Sequence, residues 1–371
     1  MIRLRNKNRC SGCTACANSC PHQAIRMQPD RLGFCYPVVD EAVCTDCGIC
    51  EAVCPFHPSA EDIDLPLPYA VRHRDMQQVA VSQSGAAFIA LSDWVLEQGG
   101  IVYGVGYAEG FRVVHKRAVT SEERDEFRGS KYVQSDLSGL FLQIKTDLRA
   151  GEWVLFSGTP CQTAGLQAFI KEPLRERLLL VDVVCHGVAS PFVWKDYLQY
   201  LEQHYKQKLV SVNFRDKKFG WHSHRESFGL ANGQGVYPDF TVYQDGLLRP
   251  SCGVCPFAGL RHQADITMGD FWGIEKTSLA KQDDNKGWSL VLCHTAKGKT
   301  VFQAVEPFLW VYPLQVEACL QPNLQHPTRL PSYHSFIGRY YRKDRLVMYL
   351  RINRYWGFLK GLAKQIKHRL I

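Results

Sequence analysis

No stretch of the 371-residue sequence approaches the roughly 20 consecutive apolar residues that a helix needs to span a bilayer. Residues 1–9 are polar and basic, and no apolar run follows them, so nothing reads as a secretory signal. Acidic residues are scarce in one place only. Over residues 339–371, Asp344 is the single acid against ten Lys and Arg. Taken from totals of 44 basic and 36 acidic side chains, this leaves 34 and 35 for the rest of the chain. The net charge of +8 is therefore a property of the tail, and the body is close to neutral. That removes the general-basicity argument for nucleic acid, and no nucleic-acid partner is expected. These absences together predict a cytoplasmic chain whose thiols are reduced and committed to metal.

Cysteine is what the sequence has in excess, 15 in all. Cys10, Cys13, Cys16 and Cys20 precede Pro21, and Cys44, Cys47, Cys50 and Cys54 precede Pro55. Both runs read C-x2-C-x2-C-x3-C-P, the spacing of bacterial two-cluster ferredoxins. A cubane cluster needs four thiolates aimed at one small volume. Two-residue gaps let a tight loop wrap three of them round one face, and the fourth must come from elsewhere. In two-cluster ferredoxins the last Cys of each run serves the other cluster. Cys10, Cys13, Cys16 and Cys54 are therefore expected on one 4Fe–4S cluster, and Cys44, Cys47, Cys50 and Cys20 on the second. The proline after each run turns the chain away and offers no amide proton. The rival is a pair of zinc sites or a disulfide framework, but zinc sites use two separated C-x2-C pairs rather than runs of four. Segments 24–27 and 34–39 suit small strands flanking the clusters, with Cys35 as a packed apolar residue.

Residues 1–58 thus read as a ferredoxin module. Pro66 and Pro68, with Glu61, Asp62 and Asp64, mark 59–77 as a linker. Beyond it the pattern alternates. Apolar residues at helical spacing over 86–96 end at Gly99-Gly100, and strand-like runs follow at 101–107 and 113–119. The run 153–156 ends at Ser157-Gly158-Thr159-Pro160-Cys161 before a helix-like stretch over 162–170, and a buried strand over 178–184 ends at Cys185-His186-Gly187. Strands alternating with helices predict an α/β domain with a largely parallel sheet over 78–330. Short strands and turns are expected over 209–242, and a basic amphipathic tail over 331–371.

In such sheets ligands gather at the carboxyl ends of strands, where Cys161 and Cys185 both fall. Cys252-Gly253-Val254-Cys255-Pro256 adds a tight-turn pair. Four thiolates of this kind suit a third 4Fe–4S cluster or an all-cysteine zinc site, and Cys161 and Cys185 alone could be core thiols. Cys293 and Cys319 have no partner at ligand spacing and read as core residues.

Several stretches in order resemble the beta subunit family of coenzyme F-420 hydrogenases and dehydrogenases. They are Ser82-Gln83-Ser84-Gly85, the run over 128–136 that contains Lys131, 156–162, 182–187, 252–257, and Asp265-Ile266-Thr267-Met268-Gly269-Asp270-Phe271-Trp272-Gly273. The resemblance covers residues 78–310 and extends to plant hydroxymethyl-chlorophyll reductase. Many bacterial relatives with a fused ferredoxin look like products of exopolysaccharide gene clusters. The fold class it implies is an α+β ferredoxin-like two-cluster module followed by an α/β flavoprotein domain that binds FAD. It also implies that Cys161, Cys185, Cys252 and Cys255 ligate a third 4Fe–4S cluster. The turn at Ser84-Gly85 would hold a phosphate of the flavin through backbone amides, though Ala86 stands where the family often has a second Gly. Lys131 would neutralise a diphosphate or the flavin N1.

The implied activity is a reductase. Electrons from an external donor, such as a ferredoxin or a reductase, would pass through the clusters to FAD and on to a small-molecule or glycan-linked two-electron acceptor, with His186 and Asp270 as proton donors. The alternative is an electron-transfer beta subunit of a larger complex with no substrate of its own. In the tail, apolar residues from Tyr349 to Ile366 interleave with Arg351, Arg354, Lys360, Lys364 and Lys367. Such a helix either lies at an anionic membrane surface or docks on the body with a solvated basic face.

Overall fold

The structure is a computed structural model and describes residues 1–56 and 64–352. The two cysteine runs fold as a pseudo-repeat. Each passes through a left-handed residue at the equivalent place, Thr14 (φ 67°) and Gly48 (φ 76°), and enters a one-turn helix, α1 (Ala15–Ser19) and α2 (Ile49–Ala52). Between the runs, β1 (Ile25–Pro29) and β2 (Cys35–Val39) form an antiparallel hairpin with Ile25 opposite Val39. These are the small strands expected from the sequence.

The rest of the described chain builds on one large sheet. In order come β3 (Leu67–His73), α3 (Met76–Val81), α4 (Ala87–Glu97), β4 (Ile101–Ala108), β5 (Arg112–Ala118), α5 (Ser121–Asp125), α6 (Leu140–Arg149), β6 (Val154–Gly158), α7 (Pro160–Phe169), β7 (Leu178–Val183), α8 (Pro191–Tyr205), β8 (Leu209–Asn213), β9 (Ser227–Leu230), β10 (Gly235–Val236), β11 (Ile266–Asp270), β12 (Ser289–Cys293), α9 (Ala296–Val305), β13 (Leu309–Pro313) and α10 (His334–Tyr340). The eight-stranded order is β13-β3-β12-β11-β7-β6-β4-β5, and β8 to β10 form a separate three-stranded sheet.

The expected largely parallel sheet is mixed. Only the centre, β4-β6-β7-β11, is parallel. β5, β12, β3 and β13 join antiparallel. The parallel strands are the ones connected through crossovers, whereas β4 returns directly into β5 over Glu109–Phe111, which needs none.

Two domain boundaries also need correction. Residues 67–73, assigned to a linker, form β3 inside the sheet between β12 and β13, with Ala70 and Val71 fully buried. Proline signalled a break there, but Pro68 sits at the start of the strand, where a missing donor is tolerated, and its carbonyl accepts from Leu314. Only residues 57–63 of that stretch lie outside the described residues. At the other end, α10 and the turns after it belong to the body. Ile337, Tyr341, Leu346, Tyr349 and Leu350 are buried in the core that α8 lines, and the Tyr341 hydroxyl donates to Asp196 at 2.7 Å. The predicted amphipathic stretch beyond Ile352 lies outside the described residues.

That core also takes in Leu32, Phe34 and Tyr36 of the ferredoxin module, against Trp194 and Tyr197 of α8. Phe34 is fully buried, which is worth about 2–3 kcal/mol. A second contact sets α7 against the first cysteine loop. A Cβ on Gly165 would stand 2.8 Å from both Cβ and Sγ of Cys13, so a helix-interior glycine, costly by about 1 kcal/mol in itself, is what lets the module seat there.

Candidate functional site

Folding joins the two cysteine runs crosswise. Cys20 lines one small cavity with Cys44, Cys47 and Cys50. Amides aim at these sulfurs: Ile2 to Cys50 at 3.2 Å, Ala24 to Cys20 at 3.3 Å and Asp46 to Cys44 at 3.4 Å. Cys47 is exposed, so this site faces solvent. The other set gathers deeper. Burial, then the neighbouring Cys10 and Cys54 sulfurs, push the Cys16 thiol up to about 12. Cys13 is raised by burial and by Cys16, Cys10 and Cys161. Cys54, from the second run, thus sits with the first.

The third cysteine set surrounds one small cavity. Cys161 is placed by the start of α7, where Thr159 and Gln162 form a reciprocal capping box and Pro160 opens the helix. Its sulfur lies 3.2 Å from the Thr159 hydroxyl. Cys185 follows the end of β7, and Cys252 and Cys255 lie in the turn over Pro250–Val254 and just after it. All four thiols line this one cavity, as do Ser11 of the ferredoxin loop and Phe56. Burial pushes Cys252 up to about 11 and Cys255 up to about 12, each raised further by Cys161. Burial does as much for the core thiols of Cys293 and Cys319, so what sets these four apart is that they share one cavity. Among the described residues no three His, Cys, Asp or Glu side chains converge as ligands of a single ion would.

The inner ferredoxin set abuts this cavity. Phe56 meets Phe257 edge-on at 5.6 Å, and the two pack with Ala164 among Cys54, Cys161 and Cys255. His186 stands on the same wall, and burial holds its imidazole below the usual range. His262, also on the wall, is fixed by the fully buried Asp182 at 2.9 Å and the Gly259 carbonyl at 3.0 Å. Burial opposes protonation there, but the Asp182 charge and hydrogen bond lift His262 above its ordinary value.

A second opening, a groove of about 400 Å³, lies between the α3–α4 turn, residues 126–131 and residues 212–218. Lys131 lines it and donates to the carbonyls of Glu126 and Arg128 at 2.8 and 2.9 Å. Burial pulls its ammonium down to about 7. Ser82 and Gln83 line the groove. Ser84 and Gly85 do not, which corrects their assignment as a phosphate loop. The Gly85 amide is already given to Ser289 Oγ at 2.9 Å, and Ser84 Oγ donates to the Trp288 carbonyl at 2.6 Å. A Cβ on Gly85 would meet the Val71 carbonyl at 2.4 Å, so the glycine serves backbone approach to β3. Asp270 is likewise corrected as a proton donor. Its carboxylate accepts from Arg215 and from the Trp221 indole, both at 2.6 Å, and is spent on that buried pair. Phe271 is core, and Trp272 stacks on Trp221 at 4.9 Å.

Between cavity and groove stand two tyrosines with ring centroids 4.4 Å apart, Tyr132 and Tyr243. Tyr132 meets the groove-lining Phe214 at 5.8 Å, and the Tyr243 hydroxyl is raised by burial and by the sulfurs of Cys185 and Cys252. Sequence reasoning missed these two, together with Ser11, Gln134, Arg249 and Arg215. Only Gln134 and Tyr132 carried a signal, by lying in the same quoted run as Lys131. Ser11 lies inside the first cysteine run, where the spacing speaks only for the cysteines, and Tyr243, Arg249 and Arg215 come from segments with no motif.

Comparison with known proteins agrees with this geometry. Residues 9–57 match the model of a 4Fe–4S dicluster domain. Residues 151–309 match the model for the C terminus of the coenzyme F420 hydrogenase/dehydrogenase beta subunit. No curated protein matches. Among solved structures, a chain of the F420-reducing [NiFe] hydrogenase complex from Methanosarcina barkeri, described for its xenon derivatization, is similar at 19% identity and a TM-score of 0.47. The match covers 71% of this chain and 87% of that one. The chain is thus an iron–sulfur protein in which a 4Fe–4S dicluster domain at residues 9–57 precedes a region, residues 151–309, that matches the C terminus of the coenzyme F420 hydrogenase/dehydrogenase beta subunit.

Proposed function

We propose that the chain is a flavin-dependent iron–sulfur reductase. In this reading electrons enter at the exposed outer ferredoxin cluster, pass to the inner one, and reach a third 4Fe–4S cluster held by Cys161, Cys185, Cys252 and Cys255. The observation that carries it is the contact of the inner ferredoxin cysteines with the third cavity, through Gly165, Phe56 and Phe257. Four thiols spread round a cavity favour a cluster over one zinc ion, whose sulfur ligands would sit about 2.3 Å from a common point. FAD, when bound, would supply the conversion of single-electron arrivals into a two-electron transfer.

The chain's own part is to bind, shield and protonate. The groove beside Lys131, with Arg128, Lys217 and Lys218 also on its wall, offers positive charge to the diphosphate of a dinucleotide. The Tyr132–Tyr243 pair fills the space between groove and cavity and keeps water from it. His186 is the proton donor in this proposal, since Asp270 is committed elsewhere. The substrate is a small molecule or a glycan-linked acceptor, and the donor an external ferredoxin or reductase.

A second reading has the family description behind it: an electron-transferring beta subunit that hands electrons to a partner. Anaerobic purification with iron, sulfide and flavin measured on one sample tests the first. About twelve irons and one FAD per chain are expected; about eight irons and no flavin would sink it. Co-purification with a larger oxidoreductase, and no turnover without it, would favour the second.

A further inference from the structure

Arg249 is 1% exposed, and among the described residues no carboxylate lies within ion-pair distance of it. A buried guanidinium of this kind is costly unless something else supplies the opposite charge. Its neighbours identify that charge. Nε donates to the Cys10 carbonyl at 2.8 Å, and Nη2 donates to the Cys35 carbonyl at 2.9 Å and reaches Cys10 Sγ at 3.8 Å. Nη1 donates to Gln134 Oε1 at 2.7 Å, and Gln134 Nε2 in turn donates to the Ser11 carbonyl at 2.9 Å. The guanidinium lies over the Tyr36 ring at 4.4 Å.

On its other side Arg249 lines the cavity of the third cysteine set. Cys161 and Cys252 line that same cavity. The cysteine loop is shaped to admit it: at Gly12, in the left-handed region (φ +70°), a Cβ would stand 2.9 Å from Nη1.

We propose that Arg249 is the shared counter-cation of the inner ferredoxin cluster and the third cysteine set, a positioning residue that fixes the Cys10 loop and raises the reduction potential of the inner cluster and its neighbour. Cluster potentials follow net charge and hydrogen bonds to the sulfurs. Each one-electron reduction adds a negative charge beside the guanidinium, so the cation favours the reduced state. Placed between the two sites, it draws electrons inward from the solvent-facing cluster of Cys20, Cys44, Cys47 and Cys50, where the Met1 ammonium in the cavity wall is already paired with Asp46. No bond forms or breaks; one electron arrives and one charge is compensated. The part concerning the third set rests on the function proposed above, whereas the part concerning the Cys10 cluster does not.

The test is a redox titration followed by paramagnetic resonance on the purified full chain, with iron and sulfide counted on the same sample. Arg249→Gln should lower the inner ferredoxin potential so that its reduction equilibrium falls about tenfold, which is 59 mV for one electron. The outer cluster should not move. Arg249→Lys keeps the charge without the fork and should recover most of the shift. Unchanged inner potentials in a fully loaded Arg249→Gln protein would overturn the proposal. So would an equal fall in Arg249→Lys, which would show that geometry rather than charge is responsible. Should Arg249→Gln not assemble, Gln134→Leu, which loosens the same guanidinium, must lower the inner potential alone, and no change there overturns it as well. Eight irons in the wild type would remove the third cluster and leave the inner shift as a separate result.

Discussion

The ferredoxin module and the third cysteine set gather their thiols by opposite routes. The module takes its eight cysteines from two short runs of fixed spacing, so local turns at Thr14 and Gly48 nearly suffice to aim them. The third set draws on α7, the end of β7 and a turn some 70 residues later, so only the completed sheet can assemble it. The first is a property of a sequence word; the second is a property of topology. The two meet at Gly165, where the module leans on the helix that carries Cys161.

The sharpest way to break that comparison is to delete ligands. Cys54→Ala should remove the cluster of Cys10, Cys13 and Cys16 despite lying in the other run, leaving the Cys44 cluster intact, with about four irons lost. Loss of the Cys44 cluster instead, followed by paramagnetic resonance, would refute the crosswise arrangement. Cys252→Ala should leave both ferredoxin signals in place.

Next in size is Asp182→Ala. It leaves the buried His262 without its carboxylate and should cost about 3–5 kcal/mol in thermal or urea unfolding, disturbing the third cavity while the ferredoxin signals survive.

A smaller effect should separate the regions by pH. Glu226 lies buried beside β9 with Oε2 unpartnered, and burial pushes its carboxyl up to about 8, the Thr241 hydroxyl opposing. The folded state therefore holds this proton more tightly than the unfolded chain. Stability from this group is complete below the unfolded value near 4.5 and falls away as pH rises to about 8. Glu226→Gln should thus stabilise by roughly 2 kcal/mol at pH 9 and by little at pH 4. An equal gain at both pH values would show that ionisation is not the cause.

The smallest effect concerns the tail. Removing residues 353–371 should leave the fold intact, because Tyr349 and Leu350 remain in their core. Binding to vesicles rich in anionic lipid should weaken with it if the peripheral membrane contact proposed for the tail is correct. Unchanged binding would dismiss that contact.

Much of this was legible beforehand, unevenly. Spacing pointed to eight cysteines that the fold gathers crosswise, Cys20 with the second run and Cys54 with the first, since the constraint is local. Strand ends gave Cys161 and Cys185. Proline misread β3 as a linker, because a proline at a strand's first turn looks the same in sequence as one that breaks it. The Ser84-Gly85 turn looked like a phosphate loop, yet its amide is consumed by Ser289, 204 residues away. Asp270 looked free because nothing near it in sequence announces Arg215.

The sequence alone determined that this chain carries a two-cluster ferredoxin module and placed eight cysteines at ligand spacing within it, because two-residue gaps act through a few backbone angles. Which further groups share a cavity was decided only by tertiary structure. Arg249, Gln134 and Ser11 are distant in sequence, Arg249 lying 239 residues from Cys10, and converge beside Cys10 because the eight-stranded sheet and α8 hold the module in place. Long-range charge and packing, not spacing, make that part of the molecule.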